Sequence, residues 1–407
     1  MVRIALVAGL LTLAGCDAKK PLTFPPPTQK CLLVPPEMDP QGGVPFRVET
    51  VVTGLEVPWS MAFLPGGDIL VTERPGRVRL VTQGALVAQP VVTVDVVDDG
   101  ESGLLGLALS PRFDEDRLFY VYGTFAAKPP VPAKRPTFGA AAPESPTREN
   151  RVLRYRLSPD HLAAELDRVI YDHVEAAVFH DGGRLRFGPD GMLYIGTGDA
   201  RKPERAQDMA SPNGKLLRLA PDGSIPPDNP FPNNPAFLTG VRNVEAFDWL
   251  DPATIVLADH GPSGELGRKG HDEVSTAKKG QNLGWPAIYG CEPKKGQVTP
   301  FISWEDATPP GGLAVYTGGK IPDWRGSVLV ATLKSKHLHR LVLDKKEPHP
   351  LILHEAFLVG DPPRGYGRLR DVVMAPDGDL YITTSNCDGR GACPPDKDRI
   401  LRITSPM

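Results

Sequence analysis

The chain of 407 residues reads as an all-β protein, a six-bladed β-propeller of four-stranded antiparallel blades. Three observations predict this. A turn-plus-strand unit recurs six times, a second type of strand follows most copies, and no long helical periodicity separates them. Its 42 glycines and 45 prolines, about a fifth of the chain, suit an architecture built on tight turns.

The recurring unit is one or two turn-forming residues followed by an apolar strand. It appears as Gly66-Gly67-Asp68-Ile69-Leu70-Val71, Asp116-Arg117-Leu118-Phe119-Tyr120-Val121 and Asp190-Gly191-Met192-Leu193-Tyr194-Ile195. It returns as Pro252-Ala253-Thr254-Ile255-Val256-Leu257, Arg325-Gly326-Ser327-Val328-Leu329-Val330 and Asp377-Gly378-Asp379-Leu380-Tyr381-Ile382. The second strand reads Arg77-Val78-Arg79-Leu80, Val152-Leu153-Arg154-Tyr155, Leu216-Leu217-Arg218-Leu219, Leu338-His339-Arg340-Leu341 and Ile400-Leu401-Arg402-Ile403. An outward arginine alternating with inward aliphatics is the period of a strand wet on one side. The last copy lies near the C-terminus, so a strand around Val48 to Val52 is expected to complete that blade and close the ring. Ala126 to Glu149, rich in Ala, Pro, Lys and Ser, reads as a surface insertion, and Ser263 to Gly270 as a second, Gly-rich one.

The N-terminus follows a different logic. Arg3, the apolar run Ile4 to Leu13 and the tetrad Leu13-Ala14-Gly15-Cys16 predict a signal peptide over 1–16 ending in a lipobox whose Cys16 is lipidated. Several acyl chains on one cysteine anchor stably where one would not. Residues 17–45 read as a Pro-rich tether, and 46–407 as the propeller domain. The expected location is therefore the cell envelope, as an exported lipoprotein whose membrane contact is the lipid alone. No apolar run beyond residue 20 approaches the roughly 20 residues that cross a bilayer.

Export implies an oxidising compartment in which the other four cysteines can pair. Cys387 and Cys393 bracket Asp-Gly-Arg-Gly-Ala, a loop that could close a short disulfide; Cys31 and Cys291 are left over and could pin the tether to the body. The formal charge of -3, from 46 basic and 49 acidic side chains, argues against a nucleic-acid partner, whose phosphates demand a basic excess.

A propeller places its site where inner loops converge on the central channel. His180, ahead of Gly182-Gly183, is a candidate general base because imidazole titrates near working pH. A hydrogen-bonded turn histidine is the bland alternative. Arg242, Lys334, Arg368 and Arg370 form a cationic set, and Arg368 and Arg370, two apart on extended chain, share one face. Cations converging on one channel repel unless an anion sits among them, and flat guanidinium groups suit a rigid polycarboxylate.

Seven strings occur in order: Glu101-Ser102-Gly103-Leu104-Leu105-Gly106-Leu107, His180-Asp181-Gly182-Gly183-Arg184-Leu185, Arg242-Asn243, His260-Gly261-Pro262, Asn282-Leu283-Gly284-Trp285-Pro286, Leu333-Lys334 and Arg368-Leu369-Arg370-Asp371-Val372. From about Val48 onward the chain resembles the quinoprotein glucose/sorbosone dehydrogenases, including the bacterial aldose sugar dehydrogenases. The resemblance implies a small-molecule sugar as substrate, pyrroloquinoline quinone (PQQ) as cofactor, and Ca²⁺. It implies that His180 takes the proton of the anomeric hydroxyl and that Arg242 polarises the quinone and stabilises developing charge. It implies cofactor contacts from Asn243, Lys334, Arg368 and Arg370. Main-chain oxygens of Gly261 and Pro262 match Ca²⁺ ligands, and Asp272 and Glu273 could serve the same ion or a second one. The chain departs from the family in three places. Glu101 stands where a cofactor-contacting glutamine is common, Val244 and Glu245 follow Arg242-Asn243, and Ser263 to Gly270 is inserted. A Ca²⁺-dependent lactone hydrolase and a non-catalytic binding propeller are the other functions this fold accommodates. No motif specifies the electron acceptor.

Overall fold

The computed structural model describes residues 31–36, 39–127 and 148–406. Six antiparallel sheets follow one another along the chain. Blade one holds Pro58–Phe63, Ile69–Glu73, Arg77–Thr82 and Ala85–Leu86, with Val92–Thr93 beside the third strand. Blade two holds Leu104–Leu109, Leu118–Ala126, Arg148–Leu157 and Ala164–Glu175, and blade three Gly182–Phe187, Leu193–Thr197, Lys215–Leu219 and Ala236–Thr239. Blade four holds Val244–Asp251, Thr254–Asp259, Glu273–Lys278 and Ile302–Trp304; blade five holds Pro310–Val315, Val328–Thr332, Leu338–Leu343 and Leu351–Phe357. Blade six takes Leu369–Met374, Leu380–Thr384 and Asp398–Thr404 from the end of the chain and Arg47–Leu55 from its beginning. That last pairing, Arg47 opposite Thr404 through Leu55 opposite Asp398, closes the ring as the sequence predicts.

All six recurring units became second strands of their blades, and the five Arg-centred strings became third strands. The second strands lie between neighbouring blades and are covered on both faces, so they read as continuous apolar runs. Four of them are buried at every position. The buried apolar side chains of the described residues fall into six clusters, each centred between two adjacent blades, the one between blades two and three also taking in Trp59 of blade one.

Most central arginines of the third strands are withdrawn from solvent, contrary to the alternation, while Arg402 stays partly exposed. Arg79, Arg218 and Arg340 are buried, and each of the five meets a carboxylate: Glu73, Asp167, Asp190, Glu355 or Asp379. Blade packing covers these faces, and an arginine survives there because its stem packs while its fork is paired.

The expected signal peptide and Cys16 lie outside the described residues, as does the tether before Cys31. From Cys31 on, this segment is docked. Leu32–Val34 adds a fifth, parallel strand to blade four beside Ile302–Trp304, and Cys31 is disulfide-bonded to Cys291. Cys387 and Cys393 are also bonded. The Ala126 to Glu149 insertion begins and ends in paired strand, Ala126 opposite Arg148. Residues 128–147, its bulk, lie outside the described residues. Among the described residues no helix is long and apolar enough to cross a membrane.

The blades meet around Arg184, on the inner strand of blade three. Its guanidinium donates to the Glu245 carbonyl at 2.7 Å, Ser60 Oγ at 3.1 Å and the Gly311 carbonyl at 2.9 Å. It also lies 3.1 Å from Asp371 Oδ1 and over the Trp59 ring. One side chain thereby joins blade three to blades one, four, five and six. Removing one partner of a buried pair strands the other. Arg184→Met should lower unfolding free energy by about 3–5 kcal/mol in urea titration. A loss below about 1 kcal/mol would show that Arg184 is not what joins them.

Candidate functional site

His180 ends the chain segment that enters the inner strand of blade three. Its φ of 66° places a non-glycine residue in the left-handed region, at a cost of about 1–2 kcal/mol. Close packing holds it there. A Cβ on Gly198 would lie 1.8 Å from the His180 carbonyl oxygen, so only glycine fits beneath it.

Hydrogen bonds fix the state of the ring. Nδ1 lies 2.7 Å from Oδ1 of Asp199, which is fully buried, and Nε2 lies 2.7 Å from Arg242 Nη2. A carboxylate only accepts and a guanidinium only donates. Nδ1 therefore carries the proton and Nε2 offers its lone pair. Trp285 Nε1 donates to the other Asp199 oxygen at 2.8 Å, so the string Asn282 to Pro286 acts by holding the carboxylate that orients the histidine. Arg242 is held in turn. Asp259 accepts from its backbone N–H at 2.8 Å and from that of Asn243 at 2.7 Å.

His180 and Arg242 face a cavity of about 640 Å³ at the channel mouth. Glu101, Gly261, Pro262, Lys334, Arg368 and Arg370 also line it, so eight of the predicted site residues converge. Asn243 does not line it. Fully buried, it accepts from Gly182 N–H at 2.8 Å and donates to Glu245 at 3.2 Å, tying blade three to blade four. Glu273 also sits behind the wall, accepting from Gly290 N–H at 2.7 Å. Burial, with Asp259 and Asp272 nearby, pushes its carboxyl well up. Asp272 does reach the cavity and braces the loop, accepting from Gly261 N–H at 2.9 Å and Thr308 N–H at 2.6 Å.

The cations do not simply repel around an empty centre, because the chain supplies counter-charges. Arg242 pairs with Glu265, Arg370 with Glu245, and Arg368 with Asp388 at 2.7 Å. Repulsion alone therefore does not require a bound anion. Two donors remain. Lys334 is exposed with no ion-pair partner among the described residues, and the buried Nε of Arg370 makes no hydrogen bond. Glu101 supports the His180 backbone N–H at 3.0 Å and meets Arg390 at 3.2 Å. Burial pushes the Glu101 carboxyl up, yet His260, that N–H and Arg390 outweigh it and hold it below the usual range. The glutamate is ionised and neutralised by its own chain.

Sequence reasoning missed Asp199, Glu265, Asp388 and Arg390. Asp199 carries only a weak signal, a carboxylate directly after the strand of the Asp190-Gly191 unit. Glu265 belongs to the Ser263 to Gly270 insertion. Asp388 and Arg390 lie inside the loop closed by Cys387 and Cys393, so this disulfide shapes the site rather than a remote surface.

The family model for glucose/sorbosone dehydrogenases matches residues 55–401, and the chain belongs to that family. The chain is 29% identical to the aldose sugar dehydrogenase of Escherichia coli, over 84% of this chain and 91% of that one. A PQQ-bound aldose sugar dehydrogenase from Streptomyces coelicolor is 33% identical with a TM-score of 0.73, covering 89% and 99%. A structure from Thermus thermophilus is 41% identical with a TM-score of 0.76, covering 88% and 100%.

Asp181, next to His180, is fully buried, and that burial pushes its carboxyl up to about 6 against hydrogen bonds from Ser102, Asn150 and Ala177. A raised folded-state value means that its stabilising contribution is complete below the usual carboxylate range and is lost as pH rises through about 6. Asp181→Asn has no such titration. Between pH 4 and pH 7 the wild type should lose on the order of 2–3 kcal/mol relative to this variant in urea unfolding. A difference independent of pH would contradict the assignment.

Proposed function

We propose that the chain is a quinoprotein oxidoreductase that oxidises the anomeric hydroxyl of an aldose to a lactone, with PQQ as hydride acceptor. The observation that carries this reading is the Asp199–His180–Arg242 array, which leaves Nε2 unprotonated at the cavity wall with its one lone pair held by Arg242 Nη2. The cavity fits the cofactor on its own evidence. About 640 Å³ admits a tricyclic ring, and unpaired Lys334 and the free Nε of Arg370 are donors suited to its carboxylates. Arg368 and Arg370 would hold that end and Arg242 the quinone end, with Glu101 supporting from beneath. Gly261 and Pro262 line the same wall as Asp272, an oxygen-rich setting suited to Ca²⁺. Bound there, PQQ would supply a two-electron sink and Ca²⁺ a Lewis acid.

The chain's own residues then do the following. Once the sugar hydroxyl takes the place of Arg242 Nη2 at the single Nε2 lone pair, His180 Nε2 accepts the hydroxyl proton as the C–H bond yields its electron pair. Asp199 stabilises the resulting imidazolium and keeps the ring in register. The Arg242 guanidinium, poised beside Nε2, faces the negative charge that develops on the reacting oxygens. The Leu13 to Cys16 tetrad and the two disulfides support placement at the cell envelope as a lipid-anchored protein.

His180→Ala should abolish dye-linked sugar oxidation by the PQQ- and Ca²⁺-loaded enzyme while cofactor binding persists. Asp199→Asn should lower kcat by about 10²–10⁴-fold with a smaller change in KM. Undiminished turnover in His180→Ala would remove the assigned base. Lactone hydrolysis without quinone would favour the hydrolase reading.

A further inference from the structure

Three of the nine histidines gather away from the cavity, around an acid from the N-terminal segment. His337 and His339 stand at either side of Leu338 where the third strand of blade five begins, and His354 lies on the fourth strand. Positions two apart on extended chain share a face, and Leu341 opposite His354 sets the fourth strand's histidine near them. Asp39 is brought to the group by backbone pairing, since Ala356 N–H donates to the Pro40 carbonyl and Gly42 N–H to the Ala356 carbonyl, both at 2.9 Å or less.

The donor atoms converge. His337 Nε2 and His339 Nδ1 are 3.0 Å apart. Asp39 Oδ2 lies 3.8 Å from His337 Nε2, while Oδ1 lies 3.7 Å from His339 Nδ1 and 3.8 Å from His354 Nδ1. A tetrahedral ion with bonds of about 2.0–2.2 Å separates its ligands by about 3.3 Å, and the spacings among Asp39, His337 and His339 bracket that value, with His354 beside the group rather than in it. His337 Nδ1 lies 3.3 Å from the Ser335 carbonyl and donates to it, which leaves the Nε2 lone pair facing the group, where it hydrogen-bonds with His339 Nδ1. Trp304 Nε1 donates to Asp39 Oδ1 at 3.1 Å, a second support for the carboxylate. His354 Nδ1 makes no hydrogen bond, and His339 is fully buried.

We propose that Asp39, His337 and His339 form a two-nitrogen, one-oxygen site for a divalent transition metal of the Zn²⁺ type, with water completing its shell, which fastens the N-terminal segment to blade five. Imidazole and carboxylate suit such ions better than Ca²⁺, which prefers six or more oxygens. The site would be structural, a second clamp beside the Cys31–Cys291 disulfide. It also grips the loop that carries Lys334 into the cavity, three residues before His337.

The test uses the full-length chain, stripped by a chelator and then saturated with Ca²⁺. Zn²⁺ is titrated calorimetrically, and Co²⁺ is followed by visible absorption. One equivalent of Zn²⁺ should bind, with an intense tetrahedral Co²⁺ spectrum. Asp39→Asn, at a partly exposed position, and His337→Gln should each weaken Zn²⁺ binding at least about tenfold and bleach the Co²⁺ bands, with far-UV circular dichroism unchanged. Absence of stoichiometric binding, or equal affinity in both variants, overturns the site.

Discussion

The structure turns on one buried cation. Arg184 puts a guanidinium where inner strands converge, and its partners come from four other blades. A propeller has no single core; its apolar side chains are divided among six clusters, each centred on the interface of two blades. Something must therefore fix the inner strands relative to one another. A hydrogen-bonded arginine does so because its fork reaches in several directions at once, which an aliphatic side chain of the same volume does not.

The site inherits that rigidity. His180 is four residues before Arg184 and leads into the same strand, while Glu245, whose carbonyl Arg184 binds, offers its carboxylate to Arg370. The scaffold and the cavity wall thus share residues. Electrostatics follows the same economy. Each arginine of the cavity is matched by a carboxylate from a neighbouring loop or strand, which keeps a crowded cationic site stable while leaving Lys334 and one Arg370 nitrogen for a ligand.

The fold was largely legible because second strands covered on both faces must be apolar throughout, and turns before them must be tight. Blade four escaped the second pattern because its third strand, Glu273–Lys278, has no central arginine. Alternation was misleading for the other five, since an arginine paired inside an interface looks in sequence like one in water. In the site, residues facing the cavity stood out by type and order: His180, Arg242, Lys334, Arg368 and Arg370. Their supports did not. Asp199, Glu265 and Asp388 are ordinary carboxylates whose roles come from tertiary placement, as does the inward turn of Asn243. The charge of Glu101 looked hostile to an anionic ligand until Arg390, 289 residues away in sequence, was seen beside it.

The central claim is that this cavity holds PQQ through the arginine pair of blade six. Calorimetric titration of the Ca²⁺-saturated full-length chain with PQQ tests it most directly. The account predicts tight, stoichiometric binding in the wild type that collapses in the Arg368→Ala, Arg370→Ala double variant. No detectable binding to the wild-type chain, or equal affinity in the double variant, would contradict it.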